Sequence, residues 1–327
     1  MREYVIKRVV LFVPTLVGCS IMVFLLMQII PGDYVDSILA SDDTVMVANT
    51  PAERQKALTE LRAEYGLDKS AVAQYWAWIA GFFTGSCPQS FVSRRSVCTI
   101  LKERIVPTAE IALGAIVLLV LWAVPVGVLS AVKQNSFTDY TARIVSVALL
   151  SIPSFWISIL ILLALLQFTG SGPPLKYVPL WDDPLNNLSK MVWPILVLAL
   201  HDGAPIARIT RSEMLEVIRE DYIRTARAKG LSSRAILFRH ALRNALIPVL
   251  TLSGWRLAHL LGGTVIVEFV FNVPGVGAAI YQSIGSRDYV MLGTFVLFIT
   301  LAFLSINLIV DILYSVIDPR IRYGSTA

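Results

Sequence analysis

Four long segments of the chain contain no charged side chain: 9–30, 111–132, 144–169 and 289–310. A helix needs about 20 mostly apolar residues to cross the hydrocarbon core of a bilayer, so each segment is long enough to span a membrane. The composition agrees, because 56% of the residues are hydrophobic, only 16% are charged and the mean hydropathy is +0.68. Lipid is therefore the expected solvent for most of the chain, and an ordinary soluble domain is excluded.

Two further apolar segments are interrupted by ionisable side chains. One contains His201 and Asp202, and the other contains Arg256 and His259. Backbone polar groups in lipid must find hydrogen bonds within their own segment, which favours full helices over re-entrant or peripheral segments. We therefore predict an all-α integral membrane protein with six transmembrane helices. No small-residue cleavage site follows the first apolar segment, so we expect that segment to stay in the mature chain.

The distribution of Lys and Arg predicts the orientation of these helices. Outside the long segment 31–106, whose eight basic residues do not count because loops longer than about 60 residues largely escape the rule, basic residues concentrate at the two ends of the chain and in loops 133–143 and 208–243. The loops on the opposite side, 170–190 and 269–288, hold few of them. Because short loops rich in Lys and Arg stay in the cytoplasm, we expect both termini to be cytoplasmic. The net charge of +5 follows from this distribution and does not call for a nucleic-acid partner.

These boundaries divide the chain into four parts. Residues 1–30 form the N-terminus and the first transmembrane helix, and residues 31–106 form an external helical subdomain. Residues 107–317 form a core with the other five transmembrane helices. Residues 318–327 form a cytoplasmic tail.

Two short helices are expected in the external subdomain. Residues 50–53 have the pattern of a capping box with Pro at the first helical position, and the helix that follows should end at Gly66. A second helix should begin at Ser70 and continue through an aromatic-rich stretch of the kind that favours a membrane interface.

Cys87 and Cys98 both fall in the external subdomain, where disulfides are permitted, whereas Cys19 lies in the first apolar segment. A bridge between Cys87 and Cys98 is one interpretation, and two free thiols are the other.

The loop between the fourth and fifth transmembrane helices, residues 211–247, has the pattern of a helical elbow. Gly230 ends its first helix, and Ser232 or Ser233 caps a second one. Three small side chains would allow close approach by another surface, and three basic side chains border them: Thr225, Ala226, Ala228, Arg224, Arg227 and Lys229. A docking surface for a protein and an anchor on anionic lipid headgroups are both compatible with this composition.

Residues 221–231 and 239–248 resemble the dipeptide, oligopeptide and nickel group of ABC importer permeases. Residues 3–8, 30–33, 267–277 and 318–322 support the resemblance, which covers nearly the whole chain.

In that superfamily the elbow holds the EAA motif, whose helix seats in a groove of a nucleotide-binding subunit and transmits its closure to the membrane helices. The resemblance implies an ATPase-coupling role for nine residues: Tyr222, Arg224, Thr225, Ala226, Arg227, Ala228, Lys229, Gly230 and Leu231. This chain departs from the wider superfamily. The positions of the superfamily's Glu-Ala-Ala triplet are occupied here by Arg224, Thr225 and Ala226, and the position of its Pro is occupied by Arg243. The departure is typical of the peptide and nickel subgroup.

Importers of this kind resemble a machine of two permeases, two ATPases and an external binding protein in the bacterial inner membrane. The chain has no Gly-Lys dipeptide, and therefore no phosphate-binding loop, so ATP and Mg are expected on the ATPase partners. We expect a transport subunit that is not an enzyme and binds no cofactor or metal of its own. A related but distinct second permease is expected, with a homodimer left open. Peptides are the expected cargo, and nickel chelates, glutathione, opines and oligosaccharides are alternatives.

The ionisable residues of the two interrupted helices are our hypothesis for the substrate pathway: His201, Asp202, Arg256 and His259. Asp202 comes shortly before a cytoplasmic Arg and Arg256 shortly after Pro248, so the two side chains lie at similar depth and can form an interior salt bridge. Direct contact with charged cargo is the other interpretation. Glu268, with the turn at residues 274–277, is interpreted either as part of an external gate or as part of a tight loop.

Two other classes of membrane protein fit the sequence less well. A secondary transporter would need no ATPase, but the inverted repeats with broken helices that are typical of that class are not evident. An intramembrane hydrolase would use His201, Asp202 and His259, but no nucleophile motif or metal-binding pair accompanies them.

Overall fold

The computed structural model describes residues 2–29, 55–56, 59–60, 62–63, 66, 68–90 and 92–317. Helices dominate this part of the chain. Their bounds are α1 Arg2–Ile29, α2 Ala71–Thr84, α3 Val97–Val132, α4 Phe137–Ser151, α5 Ser154–Thr169, α6 Pro184–Arg219, α7 Asp221–Ala228, α8 Ser233–Ala235, α9 Leu242–Val270, α10 Val276–Gly285 and α11 Tyr289–Ile317. A π-helical turn, Ile236–Ala241, joins α8 to α9. The predicted capping box at 50–53 and the motifs at 30–33 and 318–322 lie outside the described residues.

Five segments of the described part are long and apolar enough to cross a membrane. They are Val5–Ile29, Val97–Val132, Pro184–Arg219, Ser233–Gly262 and Tyr289–Leu313. Helices α4 and α5 pass the same test as a pair and make a sixth span if they cross together. The predicted all-α membrane class is confirmed, and both segments with interrupting charges form long helices.

The prediction of one continuous helix over 144–169 is wrong. Helix α4 ends at Ser151, α5 begins at Ser154, and the two axes are bent by 101°. Pro153 has no N–H to donate to a helix, and its ring pushes the preceding residue into an extended conformation. Ile152 adopts that conformation, with φ −94° and ψ 123°.

Helices α3 and α6 are much longer than their apolar segments predicted. Helix α3 begins at Val97, so the predicted boundary between the subdomain and the core, at 106/107, falls inside a helix. Helix α6 begins at Pro184, where Pro occupies the first turn and Asp183 caps the helix by accepting from the N–H of Asn186. It continues without a break to Arg219 and therefore carries the fourth span directly into the elbow.

The described residues fall into two compact units. The first is built from 107–273 with both ends of the chain, and the second from 11–106 with 274–301. The core of the first unit is formed by α3, α6 and α9, whose buried side chains include Ile111, Leu119, Met191, Ile206 and Leu260.

Small residues bring α3 and α6 close together in the first unit. A Cβ added to Gly127 would lie 2.6 Å from the carbonyl oxygen of Ala207 and 2.6 Å from the Cβ of Thr210. A Cβ added to Gly203 would meet the ring of Trp122, whose Nε1 donates to the carbonyl of Ala199 at 2.9 Å. This close approach resembles the small-residue interfaces of membrane helix pairs.

The second unit contains α2 and α10. Ser70 caps α2 by accepting from the N–H of Ala73, so the predicted second short helix is present. Trp78 is buried, and its Nε1 donates to Thr294 Oγ1 at 3.2 Å. Further side chains of the unit form a cluster around Val97, Ile100, Val276, Ala279 and Phe295.

Cys87 and Cys98 form a disulfide in this structure, with their Cα atoms 5.7 Å apart. The bridge ties the segment after α2 to the first turn of α3. Ser90, between the two cysteines, donates its hydroxyl to the buried carboxylate of Asp288. Both contacts lie within the second unit.

Replacing Gly127 by Ala should destabilise the first unit by about 1–3 kcal/mol, because the added methyl group meets backbone that cannot move aside. Thermal unfolding of the detergent-solubilised protein, followed by size exclusion after heating, measures the effect. Gly262→Ala is the matched control, because the space around a Cβ at that helical position is open. Equal stability of the two variants would contradict the proposed close contact.

Candidate functional site: the helical elbow and the polar positions of the bundle

Within the predicted elbow range, 211–247, the structure holds the short helix α7 between two long ones, and from here on the elbow means α7 with the turn that follows it. Helix α6 ends at Arg219, Glu220 adopts an extended conformation, and α7 then covers Asp221–Ala228. The sequence pattern predicted one helix here, whereas the structure breaks it at Glu220.

Gly230 ends α7 with φ at +76°, a conformation that costs glycine little. Its N–H donates to the carbonyl of Arg227 at 2.9 Å, and the N–H of Leu231 donates to Ala226 at 3.3 Å. Ser232 then caps α8 by accepting from the N–H of Ala235 at 3.3 Å. The predicted order of helix, glycine and capped helix is therefore present.

One face of α7 packs against the rest of the first unit. Ile223 and Ala226 are buried, and they share a cluster with Met214 of α6, Ile236 of the π turn and Ala245 of α9. Ala226 was predicted to face a partner with the other small residues. The structure contradicts this, because residues three apart share one face of a helix and Ala226 follows Ile223 inward.

Tyr222 connects α7 to the start of α9. Its hydroxyl accepts a hydrogen bond from Asn244 Nδ2 at 2.7 Å and lies 3.4 Å from the carbonyl oxygen of His240. Its side chain is 41% exposed, so the hydroxyl end is held while the ring stays accessible. Helix α7 is thus attached to both long helices that flank it.

The opposite face of α7 and the turn after it are exposed. This face carries most of the predicted coupling residues: Arg224, Thr225, Arg227, Ala228, Lys229, Gly230 and Leu231. Arg224 is 73% exposed and forms an ion pair with Asp221 at 3.1 Å. Such a surface pair contributes little to stability, so the cations remain available to another surface.

The predicted pathway residues on α6 and α9 are paired in the structure. Arg256 Nη1 donates to Asp202 Oδ1 at 3.0 Å, and the two side chains are 19% and 8% exposed. His201 Nδ1 lies 3.8 Å from the same oxygen. The salt bridge that sequence analysis weighed is therefore present, and it links α6 to α9.

His259 does not join this pair. Its ring stacks on Trp255 with centroids 5.6 Å apart, and both side chains are exposed. Besides its ion pair with Asp202, Arg256 places its guanidinium 5.4 Å from the centre of the Trp255 ring. The exposed surface of α9 therefore carries an imidazole and an indole side by side.

Glu268 is completely buried near the end of α9 and accepts a hydrogen bond from Thr108 Oγ1 of α3 at 2.7 Å. Its carboxylate therefore does not line an open mouth in this conformation. The turn after Val273 leads into α10, where Val276 and Gly277 are buried. The structure therefore shows the start of α10 as packed against neighbouring side chains.

Two polar networks of the first unit were not predicted from the sequence. Lys190 was assigned to a loop, but it is buried within α6 and donates to the carbonyls of Pro174 and Leu175 at 2.8 and 2.9 Å. Two residues near Lys190 in the sequence, Tyr177 and Asn187, donate to Glu110 of α3, each at 3.0 Å. The periodicity of α6 continues upstream of Met191, and that was the signal that could have placed Lys190 on the helix.

Burial and the charge of Glu110 raise the pKa of the Tyr177 phenol, so Tyr177 stays a neutral donor to that carboxylate. The second missed network joins Asp139 to Arg211 at 2.7 Å. Among the residues that the structure describes, there is no cluster of His, Cys, Asp and Glu that could hold a metal ion.

Replacing Asp202 by Asn should lower stability by about 3 kcal/mol, because the buried Arg256 charge loses its carboxylate. The double variant Asp202→Leu with Arg256→Met should regain most of this loss, since it removes both charges at similar volume. Thermal unfolding of Asp202→Leu alone, of Arg256→Met alone and of the double variant gives the interaction energy. If the effects of the two single changes simply add in the double variant, the ion pair contributes nothing to the stability of the protein.

Comparison with known proteins identifies relatives along the full length. Residues 123–323 match the family described as the binding-protein-dependent transport system inner membrane component, and residues 1–112 match the N-terminal family of the same components. A Brucella abortus (strain 2308) protein, provisionally named a peptide transport system permease, is 38% identical over 325 residues, which cover 99% of this chain and 100% of the relative. The glutathione transport system permease protein GsiC of Escherichia coli (strain K12) is 34% identical over 323 residues, covering 99% of this chain and 100% of the relative.

These matches confirm the resemblance found in the sequence. The chain is a multi-pass inner membrane component of a binding-protein-dependent transport system, and as a permease subunit it is not itself an enzyme. It therefore belongs to the binding-protein-dependent transport system inner membrane component family, as an ABC importer permease of the dipeptide, oligopeptide and nickel group.

Proposed function

We propose that this permease imports di- or oligopeptides by ATP-driven alternating access, with the elbow as its contact to the ATPases. The observation that carries the proposal is the construction of α7. Its buried face is packed on α6 and α9, and its exposed face is cationic and ends at a glycine turn. A displacement of α7 by a partner bound to its exposed face would therefore be transmitted to two membrane-spanning helices, α6 and α9.

The path from the elbow into the bundle follows packed contacts. Tyr222 holds α7 to α9 through Asn244, and the Ile223 side chain holds it to α6 through Met214. Both helices continue to the Asp202–Arg256 pair, where they are joined again. Two discrete arrangements of such a packed network can carry coupling between distant sites.

The proposed cycle places both termini and the elbow in the cytoplasm. ATP and Mg bind on the partner subunits, whose closure displaces α7 and opens the cavity toward the external binding protein. Hydrolysis then returns the cavity to its inward-facing state. The absence of a Gly-Lys dipeptide from the sequence supports this division of labour.

A second, related permease is proposed as the neighbour of α9. His259 and Trp255 are exposed at the middle of a membrane-spanning helix, and an ionisable side chain that faces hydrocarbon is costly. A second permease that encloses a polar pathway beside α9 would remove this cost. His201, Asp202, Arg256, His259 and Glu268 remain our candidates for the pathway itself.

Peptides are proposed as cargo because the two relatives described above are named as permeases for peptides and for glutathione, which is itself a short peptide. Both carry a carboxylate and an ammonium group, so a pathway with an Asp and an Arg suits either. Glutathione, or a metal chelate, is the alternative cargo, and the external binding protein makes the choice.

The test is uptake into proteoliposomes that contain the permease with its co-expressed partner subunits. ATP is trapped on the elbow side, and radiolabelled Ala-Ala or glutathione is supplied with the binding protein on the other side. We expect ATP-dependent uptake of Ala-Ala in excess of glutathione. Uptake that proceeds without ATP would instead indicate a secondary transporter.

The variant Arg224→Glu with Arg227→Glu should lower uptake about tenfold and weaken co-purification of the ATPase, because it reverses the charge of the exposed face. Arg143→Glu is the control, since Arg143 is an exposed cation on α4 outside the elbow. Anchoring to anionic lipid predicts losses for both changes and normal co-purification. That outcome would remove the elbow from contact with the ATPase.

A further inference from the structure

A buried ion pair away from the elbow joins three helices of the first unit. Asp139, in the first turn of α4, is completely buried and faces Arg211 of α6. Arg211 donates through Nε to Oδ1 at 2.7 Å and through Nη2 to Oδ2 at 2.8 Å. Ser130 of α3 donates its hydroxyl to Oδ1, and the N–H of Asn135 donates to Oδ2 at 3.0 Å. The carboxylate therefore has four donors, drawn from α3, α6 and the turn before α4.

This pair differs in kind from the surface charges near it. Two parallel hydrogen bonds between a guanidinium and a carboxylate fix distance and orientation together. Separating a buried pair leaves uncompensated charges in an apolar surrounding, so the helices that carry them stay together during a rearrangement. Arg219, farther along the same helix, reaches only Gln134 at 3.5 Å, from an exposed position.

On α6, Arg211 lies between the ion pair at Asp202 and the start of the elbow. About 14 Å of helix separate Arg211 from Asp202 on one side, and a similar length separates it from Glu220, where the elbow begins. Helix α4, which carries Asp139, leads through the bend at Pro153 into α5. The region where α6 receives the elbow's movement is thus fastened to the bent helix pair.

We propose that Asp139 and Arg211 are a positioning pair that makes α4 and α5 move with α6 when the elbow is displaced. The inference rests on the proposed function, because it needs an elbow that ATPases displace. A purely structural pair would reduce assembly, ATP hydrolysis and uptake in proportion. A transmitting pair sets how much cargo crosses for each ATP hydrolysed.

The test measures ATP hydrolysis and uptake of radiolabelled Ala-Ala and glutathione on the same proteoliposomes. Arg211→Lys keeps the positive charge near Asp139 but loses the fork of two parallel bonds. We expect it to assemble and to hydrolyse ATP, with cargo imported per ATP about fivefold lower. Arg219→Lys is the same substitution on the same helix and should leave the ratio unchanged. Asp139→Asn, which keeps the side-chain shape, should lower the ratio as well.

Each outcome decides the inference. A normal ratio in Arg211→Lys and Asp139→Asn overturns it, even if the amount of assembled complex falls. Failure of both variants to assemble assigns the pair a structural role and also overturns it. Absence of ATP-dependent uptake by the unmodified complex refutes the proposed function first, and the inference then falls with it.

Discussion

The arrangement of the first unit depends on the need to satisfy ionisable side chains that α6 carries into an apolar bundle. Lys190 donates to the carbonyls of the loop before the helix, Asp202 pairs with Arg256, and Arg211 pairs with Asp139. Each partner belongs to a different neighbouring element. Because an unpaired charge in this environment is costly, the three contacts restrict where the loop, α9 and α4 can lie.

Close packing lets those polar contacts form. Gly127 and Gly203 allow α3 to approach α6 so closely that an added methyl group would overlap backbone or ring atoms. Hydrophobic burial alone gives membrane helices little preference for one another, so small residues and polar partners determine the pairing. The elbow extends this logic beyond the bundle, since α7 is held by apolar packing on one face and leaves its cations exposed on the other.

Sequence patterns predicted the elements better than their boundaries. Long apolar runs identified the membrane-spanning helices, and Gly230 marked the turn of the elbow, where φ is +76°. Apolarity alone did not reveal the bend at Pro153, because mean hydropathy reports the composition of a segment and not where its helix axis changes direction. Ala226 was assigned to the partner-facing surface from its size, whereas its place one helical turn after Ile223 puts it in the packed cluster.

The sequence by itself determined that most of this protein lies in lipid, that it is helical and which family it belongs to. These properties depend on composition, on the length of apolar runs and on local motifs. Only the tertiary structure decided which charges are partners. For Asp202 and Arg256 the sequence left a salt bridge and contact with cargo as alternatives, and it did not reveal the pair of Asp139 with Arg211. The two residues of each pair are far apart in the chain and meet through the packing of α6 against its neighbours. Local periodicity carries no information about such pairs, since a buried ion pair depends on the distance between helices and not on spacing along one of them.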